Sequence, residues 1–527
     1  MRNHLPDLLR KSANLFKDKK CVVDVGKGLS LSFDQVNRHA NKLAQAMIAL
    51  GVQKGDCINV LFHNDYHYVE LYLAMAKTGK VRAALNSRES APEHIFKINS
   101  SQGKALFFDA EYLDLVKGIR DKLETIKYFV CTACEQGQLP EGILSYDTLI
   151  ADAPDFEPEV EVHDEDFFRL AFSGGTTGVA KAAIHTYKTE LAFYGNLLLD
   201  ALPVKKHDVF MHVHPLSHGT ACFVMPSFMR GASQVVLDKT DAVSILNTIQ
   251  KERITMGFLI PTLLRRLLAC PDVRNYDFSS LRWVIYGAAP IAQSTLEEAI
   301  MTFGNVFCQI WGQVEVPVCA TYLPPEEHVI EGSEADVKRL LSCGKETTKC
   351  VVKVVDENDK ELPPGEVGEL VVRSDHMTVG YLDSPEETAV LLKDGWLHTK
   401  DMGYRDQLGY FYLAERKSEM IISGGFNVYP TEVENVLSSH PCVLEAAVIG
   451  VSDPSWGETV KALVVLKKGQ DASEKELIEF TRERLASYKC PRFIEFLTEP
   501  LPKTSVGKMA RKELKKKYWE PGKRSIS

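Results

Sequence analysis

The stretch S-G-G-T-T-G-V-A-K, Ser173 to Lys181, concentrates the residue types that hold phosphate. Gly174, Gly175 and Gly178 let backbone N–H groups converge on an anion, Thr176 and Thr177 add hydroxyl donors, and Lys181 adds a cation. A flexible surface turn is the other reading of these residues. A Walker-type P-loop is excluded, because Gly178 is followed by Val-Ala-Lys rather than Lys-Ser/Thr. A second stretch, H-V-H-P-L-S-H-G, carries His212, His214 and His218. H-x-H places the first two on one face of a strand, but no acidic or cysteine partner is spaced to complete a metal site there. Cys131 and Cys134 form a C-x-x-C with no second pair nearby, which suits two half-buried thiols at a strand end better than zinc.

These residues need a frame. Through the first 320 residues, short β-branched runs alternate with amphipathic helical stretches. C-I-N-V-L-F (57–62) precedes Y-V-E-L-Y-L-A-M-A-K (68–77), M-G-F-L-I (256–260) precedes a helix opened by Pro261, and L-R-W-V-I-Y (281–286) precedes A-Q-S-T-L-E-E-A-I. F-R-L-A-F (168–172) reads as the strand that delivers the Gly-Thr stretch. Such alternation predicts an α/β fold of largely parallel sheets covered by helices, in two layers. From about residue 350, short strands joined by charged turns predict a small antiparallel, β-barrel-like subdomain. A last α+β block, 418–527, is expected to follow 1–417 through a hinge at Ser418.

The composition is that of an ordinary globular protein, with 45% hydrophobic and 25% charged residues. A net charge of −9 argues against general nucleic-acid binding. Nine Lys or Arg against two Glu between Lys503 and Arg524 fit a solvated helix face or an anion-facing one. No signal peptide, peroxisomal address or membrane-spanning run is expected, and scattered cysteines suit a reducing cytoplasm. A homodimer is compatible with the sequence but not required by it.

Further stretches join the Gly-Thr loop: I-W-G-Q-V-E (310–315), G-W-L-H-T-K-D-M-G (395–403), E-R-K-S-E-M-I-I-S-G-G-F-N-V-Y-P-T-E-V-E (415–434) and P-K-T-S-V-G-K-M-A-R (502–511). In this order and spacing the chain resembles the adenylate-forming superfamily of acyl-CoA synthetases, luciferases and peptide-synthetase adenylation domains. The resemblance implies activation of a carboxylic acid by ATP to an acyl-adenylate, then thioester formation with coenzyme A. The loop would hold the phosphates that leave as pyrophosphate. Glu315 matches the magnesium ligand, since a hard cation takes carboxylate oxygen. Asp401 and Arg416 match the ribose contacts. Gly287, Ala288, Ala289 and Pro290 match the turn lining the adenine, and Trp311 the aromatic stacked on it, with Gly312, Gln313 and Val314 beside them. Lys508 matches the catalytic lysine, an ammonium that stabilises charge growing on the α-phosphate. For thioester formation the C-terminal domain rotates, bringing Gly424 and Gly425 to a channel for the pantetheine arm.

His218 matches the residue that gates the acyl pocket, with His214 and Val316 alongside. The small residues at 287–289 and 312, with Val314, Val316 and Pro317, suggest an apolar pocket. No Lys or Arg stands out for a second carboxylate, so a medium- or long-chain fatty acid is expected, with aryl or alicyclic acids as the alternative. Loading of a carrier protein is a further alternative to coenzyme A. The chain departs from the family pattern at Gly174, Ala180, Val314 and Ser418. None of these removes a charge the chemistry requires.

Overall fold

The computed structural model describes residues 4–173, 180–217, 219–289, 291–416, 419–423, 426–453, 457–503 and 509–518, with only the backbone for a few of them, Ser173 and Arg416 included. Among these residues the strands form four sheets. The largest runs in the order Lys345–Glu346, Thr321–Leu323, Phe307–Trp311, Trp283–Gly287, Met256–Leu259, Val209–His212, Ser233–Val236, Lys20–Asp24 and Leu29–Ser32. Its centre, from Phe307–Trp311 to Lys20–Asp24, is parallel, and its edges are antiparallel. The second runs Ile143–Ser145, Tyr128–Thr132, Ala105–Asp109, Cys57–Leu61, Val81–Ala84, Phe167–Ser173, Lys181–Thr186, with only the last pair antiparallel.

The helix Tyr66–Thr78 lies between these layers, buried on nearly every side. His67 to Thr78 of the helix Tyr66–Thr78 are all buried, which is the pattern of an interior helix rather than a surface one. Asp65 caps its start by accepting from Tyr68 N, and Gly79, at φ 65°, ends it in the left-handed conformation. Its one deep cation, Lys77, is paired with Glu157 at 2.9 Å. One continuous core joins Val22, Phe210 and Ile285 of the first sheet, Ile58, Phe107 and Phe168 of the second, and Tyr68, Leu71 and Phe193 of the helices between. The two predicted βα layers are thus present. Pro261 opens its helix as expected, its missing N–H costing nothing at that position.

The antiparallel sheet contains Cys350–Val355, Gly368–Ser374, Trp396–Arg405 and Leu392–Lys393, with Phe411–Arg416 paired to Trp396–Arg405. The chain then changes sheet. Ile421–Ser423, Phe426–Val428, Val443–Asp453, Gly457–Leu466 and Phe493–Phe496 form a separate sheet around Val433, Val448 and Leu477. The predicted hinge residue, Ser418, lies outside the described residues.

Candidate active site

Three sheets converge on one region. In the first sheet, Trp283–Gly287 and Phe307–Trp311 are parallel neighbours, with Gly287 opposite Ile310. The turns after them therefore leave the same carboxyl edge, where open α/β sheets place their ligands. Close backbone approach explains the glycines. A Cβ on Gly287 would come within 2.5 Å of the Ile310 carbonyl oxygen, and one on Gly312 within 2.7 Å of the Val316 carbonyl oxygen. Ala288 follows at φ 65° and is exposed, and Ala289 is half-buried. Val314 is held through its carbonyl, which lies 2.9 Å from Nε2 of the buried His185. Burial drives the pKa of His185 well below the usual range, so the ring is neutral and donates this bond.

The antiparallel sheet brings Asp401 to this edge. Thr399 Oγ1 donates to the Leu370 carbonyl at 2.6 Å and accepts from Asp401 N at 3.1 Å, and Lys400 between them sits at φ 60°. The strand is thereby irregular at the point where the carboxylate must turn inward. Asp401 Oδ2 accepts from Trp311 Nε1 at 3.0 Å and from Gln313 Nε2 at 2.8 Å. Arg416 pairs with Asp401 along the backbone ladder, while its side chain lies outside the described residues. The predicted Trp311, Gln313 and Asp401 thus form one unit.

The second sheet contributes the ends of the Gly-Thr stretch. Ser173 and Lys181 are opposite one another on antiparallel strands. The other edge of Lys181–Thr186 is held by residues 378–382: Ile184 N donates to Gly380 O at 2.9 Å and Leu382 N to Ala182 O at 2.9 Å. This contact sets Tyr381 between two predicted site residues. Its hydroxyl donates to Glu315 Oε1 at 2.6 Å, and Lys181 Nζ lies 5.6 Å from its ring centre. Lys181 also pairs with Glu387 at 3.2 Å. Glu315 itself is buried, with 7% of its surface exposed. Tyr381 and His185 are positioning residues that the sequence reading missed, since a single tyrosine or histidine carries no motif of its own; Thr399 lies within the G-W-L-H-T-K-D-M-G stretch but was given no role there.

In the histidine stretch, His214 Nε2 accepts from Ile260 N at 3.1 Å. His212 has Thr220 Oγ1 at 3.2 Å and Gln234 Oε1 at 2.9 Å on its two nitrogens, and burial lowers its pKa to about 4. Val316 is fully buried and packs with Trp311, Ala320 and Cys343. The Cys131 and Cys134 sulfurs are free thiols 3.7 Å apart at the end of the strand Tyr128–Thr132; Cys134 is half-buried as expected, but Cys131 is fully buried. Gly174 to Gly178, His218, Pro290, Gly424, Gly425 and Lys508 lie outside the described residues. The flanks of Lys508 are described: Lys503 pairs with Met509, and Ala510 N donates to Pro502 O at 2.9 Å.

Comparison with known proteins bears on the same residues. The AMP-binding enzyme family model matches residues 9–382, and the AMP-binding enzyme C-terminal domain matches 432–508. The chain is 32% identical to the medium/long-chain-fatty-acid–CoA ligase FadD8 of Mycobacterium tuberculosis, over 94% of this chain and 87% of that protein. It is 32% identical to a feruloyl-CoA synthase of an Amycolatopsis species, over 93% and 94% of the two chains. The solved anthranilate–CoA ligase AuaEII in complex with anthranoyl-AMP superposes with a TM-score of 0.88 at 27% identity, covering 98% of this chain and 97% of that one. Matches of this extent, on a fold of two βα layers, an antiparallel sheet and a small C-terminal sheet, make this chain a member of the AMP-binding enzymes of the adenylate-forming (ANL) superfamily, an AMP-forming acid–thiol ligase.

Proposed function

We propose that the enzyme activates an apolar carboxylic acid, a medium- or long-chain fatty acid first among them, and passes the acyl group to coenzyme A. The observation that carries this reading is the joining of Trp311, Gln313 and Asp401 beside the Tyr381–Glu315 pair, all at the carboxyl edge of the largest sheet. The acid's carboxylate attacks the α-phosphorus of ATP, and the bond to pyrophosphate breaks. Lys508 neutralises charge gathering on the α-phosphate. Asp401 and Arg416 receive the ribose, the adenine lies between residues 287–290 and Trp311, and the loop Ser173–Lys181 holds the departing phosphates. The thiol of coenzyme A, led past Gly424 and Gly425, then attacks the acyl carbon and AMP leaves. In this reading 1–417 is the adenylation domain and 418–527 the part that turns about Ser418.

Glu315 fits a magnesium ligand. It is a buried carboxylate oriented through one oxygen by a tyrosine hydroxyl, and the oxygen chemistry suits a hard cation. When bound, the ion would neutralise phosphate charge. His214 and His218 flank the acid's path, with Val316 behind Trp311. The cysteines, all free thiols, suit a reducing cytoplasm, and among the described residues no helix is long and apolar enough to cross a membrane.

The fatty-acid ligase among the relatives supports a chain-like acid, while the feruloyl and anthranilate ligases support the second reading, an aryl acid. A panel of acids with ATP and coenzyme A, scored by pyrophosphate release, tests both. Apolar monocarboxylates should exceed α-amino acids and dicarboxylates by about 10²-fold or more, because an ammonium or second carboxylate buried without a partner is strongly disfavoured. Preference for an α-amino acid would refute the apolar pocket.

The ribose assignment has its own test. In Asp401→Asn the amide oxygen must face the Trp311 and Gln313 N–H groups, so an NH2 replaces an acceptor on the other side. The KM for ATP should rise about tenfold, the cost of one charge-assisted hydrogen bond. A fall in kcat with unchanged KM would instead give Asp401 a role in the chemical step.

A further inference from the structure

The strand Val443–Asp453 starts irregularly. Val443 pairs with Leu466 and Glu445 with Val465, so Leu444 is an extra residue, a β-bulge. The bulge changes the face that the following side chains take. Val443, Ala446 and Val448 share a core with Val433 and Leu477, whereas Ala447 and Ile449 pack on the other face with Leu501 and Leu514. Alternation along the strand puts Glu445 with Ala447 and Ile449, on the side of the segment that carries Leu501 and Lys503. Lys503 Nζ lies 2.7 Å from Glu445 Oε1.

The same oxygen faces a second cation. Arg265 Nη2 lies 3.3 Å from Glu445 Oε1. Arg265 belongs to the helix Pro261–Leu268, which buries Leu263, Leu264 and Leu267 against Met211, Val213 and Val284 of the largest sheet's side and leaves Arg265 partly exposed. This ion pair joins 1–417 to 418–527.

Both ends of the pair lead towards the chemistry. The helix starts directly after Ile260, whose N–H donates to His214 Nε2, and Arg265 follows Pro261 by about 6 Å along the axis. At the other end Lys503 pairs with Met509, and Lys508 lies between them in the sequence. Lys503, and through it the segment that carries Lys508, is thus tethered beside the helix that begins at the acid's path. The attack on the α-phosphate belongs to that side.

The pair is suited to opening. The Arg265 side chain is 36% exposed, so water solvates the guanidinium once the contact breaks. Glu445 then still has Lys503, so no carboxylate is left without a cation. A partly exposed ion pair is worth roughly twofold to fivefold in an equilibrium constant, which biases a domain without locking it.

We propose that Arg265 is a positioning residue: with Glu445 it holds 418–527 in the posture for acyl-adenylate formation, and their pair opens when that part turns for thioester formation. This rests on the proposed turning of 418–527 about Ser418. The pair touches no substrate, so it acts on the balance between the two half-reactions and not on either chemical step.

Arg265→Met in the full chain tests this, because it removes the cross-contact and leaves Glu445 with Lys503. Adenylation is scored by pyrophosphate release, and thioester formation by acyl-CoA made from chemically prepared acyl-adenylate. With the two postures in exchange, losing the pair speeds the second reaction if the first posture dominates, and slows the first reaction if the second dominates. In both cases the ratio of the adenylation rate to the thioester rate falls by about twofold to fivefold. That ratio does not depend on how much of a preparation is folded. Arg265→Lys, which keeps the charge, should hold it near the wild-type value. An unchanged or raised ratio in Arg265→Met, or an equal fall in Arg265→Lys, overturns the positioning role. Lys508→Ala in the same assays separates this proposal from the one beneath it. Equal loss in both half-reactions there overturns the turning of 418–527 itself, whereas a split there with an unchanged Arg265→Met ratio overturns the role of Arg265 alone.

Discussion

Lys508→Ala is expected to slow acyl-adenylate formation by about 10²–10³-fold, while thioester formation from chemically prepared acyl-adenylate and coenzyme A stays near the wild-type rate. The first number is the cost of removing one donor aimed at charge that develops only in the transition state. The split follows from the proposed rotation of 418–527, which would carry the lysine away before the thiol attacks. The substitution should leave its segment in place, because the anchors are elsewhere. Arg511 Nη1 lies 2.9 Å from Glu419 and its Nη2 2.6 Å from Glu434, and Lys503 pairs with Met509. Pyrophosphate release measures the first half-reaction and acyl-CoA formation the second. An equal fall in both would show that the lysine serves both steps and that the rotation assignment is wrong.

Glu190→Leu should destabilise the protein by about 3–5 kcal/mol, the usual cost of removing one partner of a buried ion pair. Glu190 is 1% exposed and Arg169 is 6% exposed, so solvent cannot replace the lost carboxylate. The cost is raised by Arg82, the neighbour of Arg169 in register, because the variant leaves two cations with no carboxylate between them. Urea unfolding followed by tryptophan fluorescence would report the change as a lowered midpoint. An unchanged midpoint would mean that Arg169 has found another acceptor. Replacing Arg169 and Glu190 together by apolar residues should cost less than Glu190→Leu alone, since a buried pair removed as a unit leaves no orphan charge.

The parallel layers were legible because β-branched runs and helical periods alternate locally, and such patterns need only neighbouring residues to form. The strands Cys57–Leu61 and Met256–Leu259, with the helices after them, lie where the periodicity put them. The glycines of Y-G-A-A and W-G-Q-V-E were legible for a related reason. They occupy turns at strand ends, and contacts too close for a Cβ leave no other residue possible at Gly287 and Gly312. Asp401 was legible as chemistry but not as geometry. Its two donors, Trp311 and Gln313, come from a different sheet, and nothing within H-T-K-D-M-G points to them.

By itself, then, the sequence determined the superfamily, the reaction type and the layered α/β architecture, because motifs that hold a nucleotide and periods that bury a face are written in short stretches. The tertiary structure alone decided which side chains stand behind those motifs. Tyr381 reaches Glu315 only because residues 378–382 dock on the free edge of Lys181–Thr186. Arg82, Arg169 and His185 form a row only because Val81–Ala84 and Phe167–Ser173, far apart in the chain, are adjacent strands. Strand order is set by burial and hydrogen bonding over long separations, and this leaves no periodic trace in the residues themselves. That is why the buried pair of arginines became visible only once the sheet was assembled.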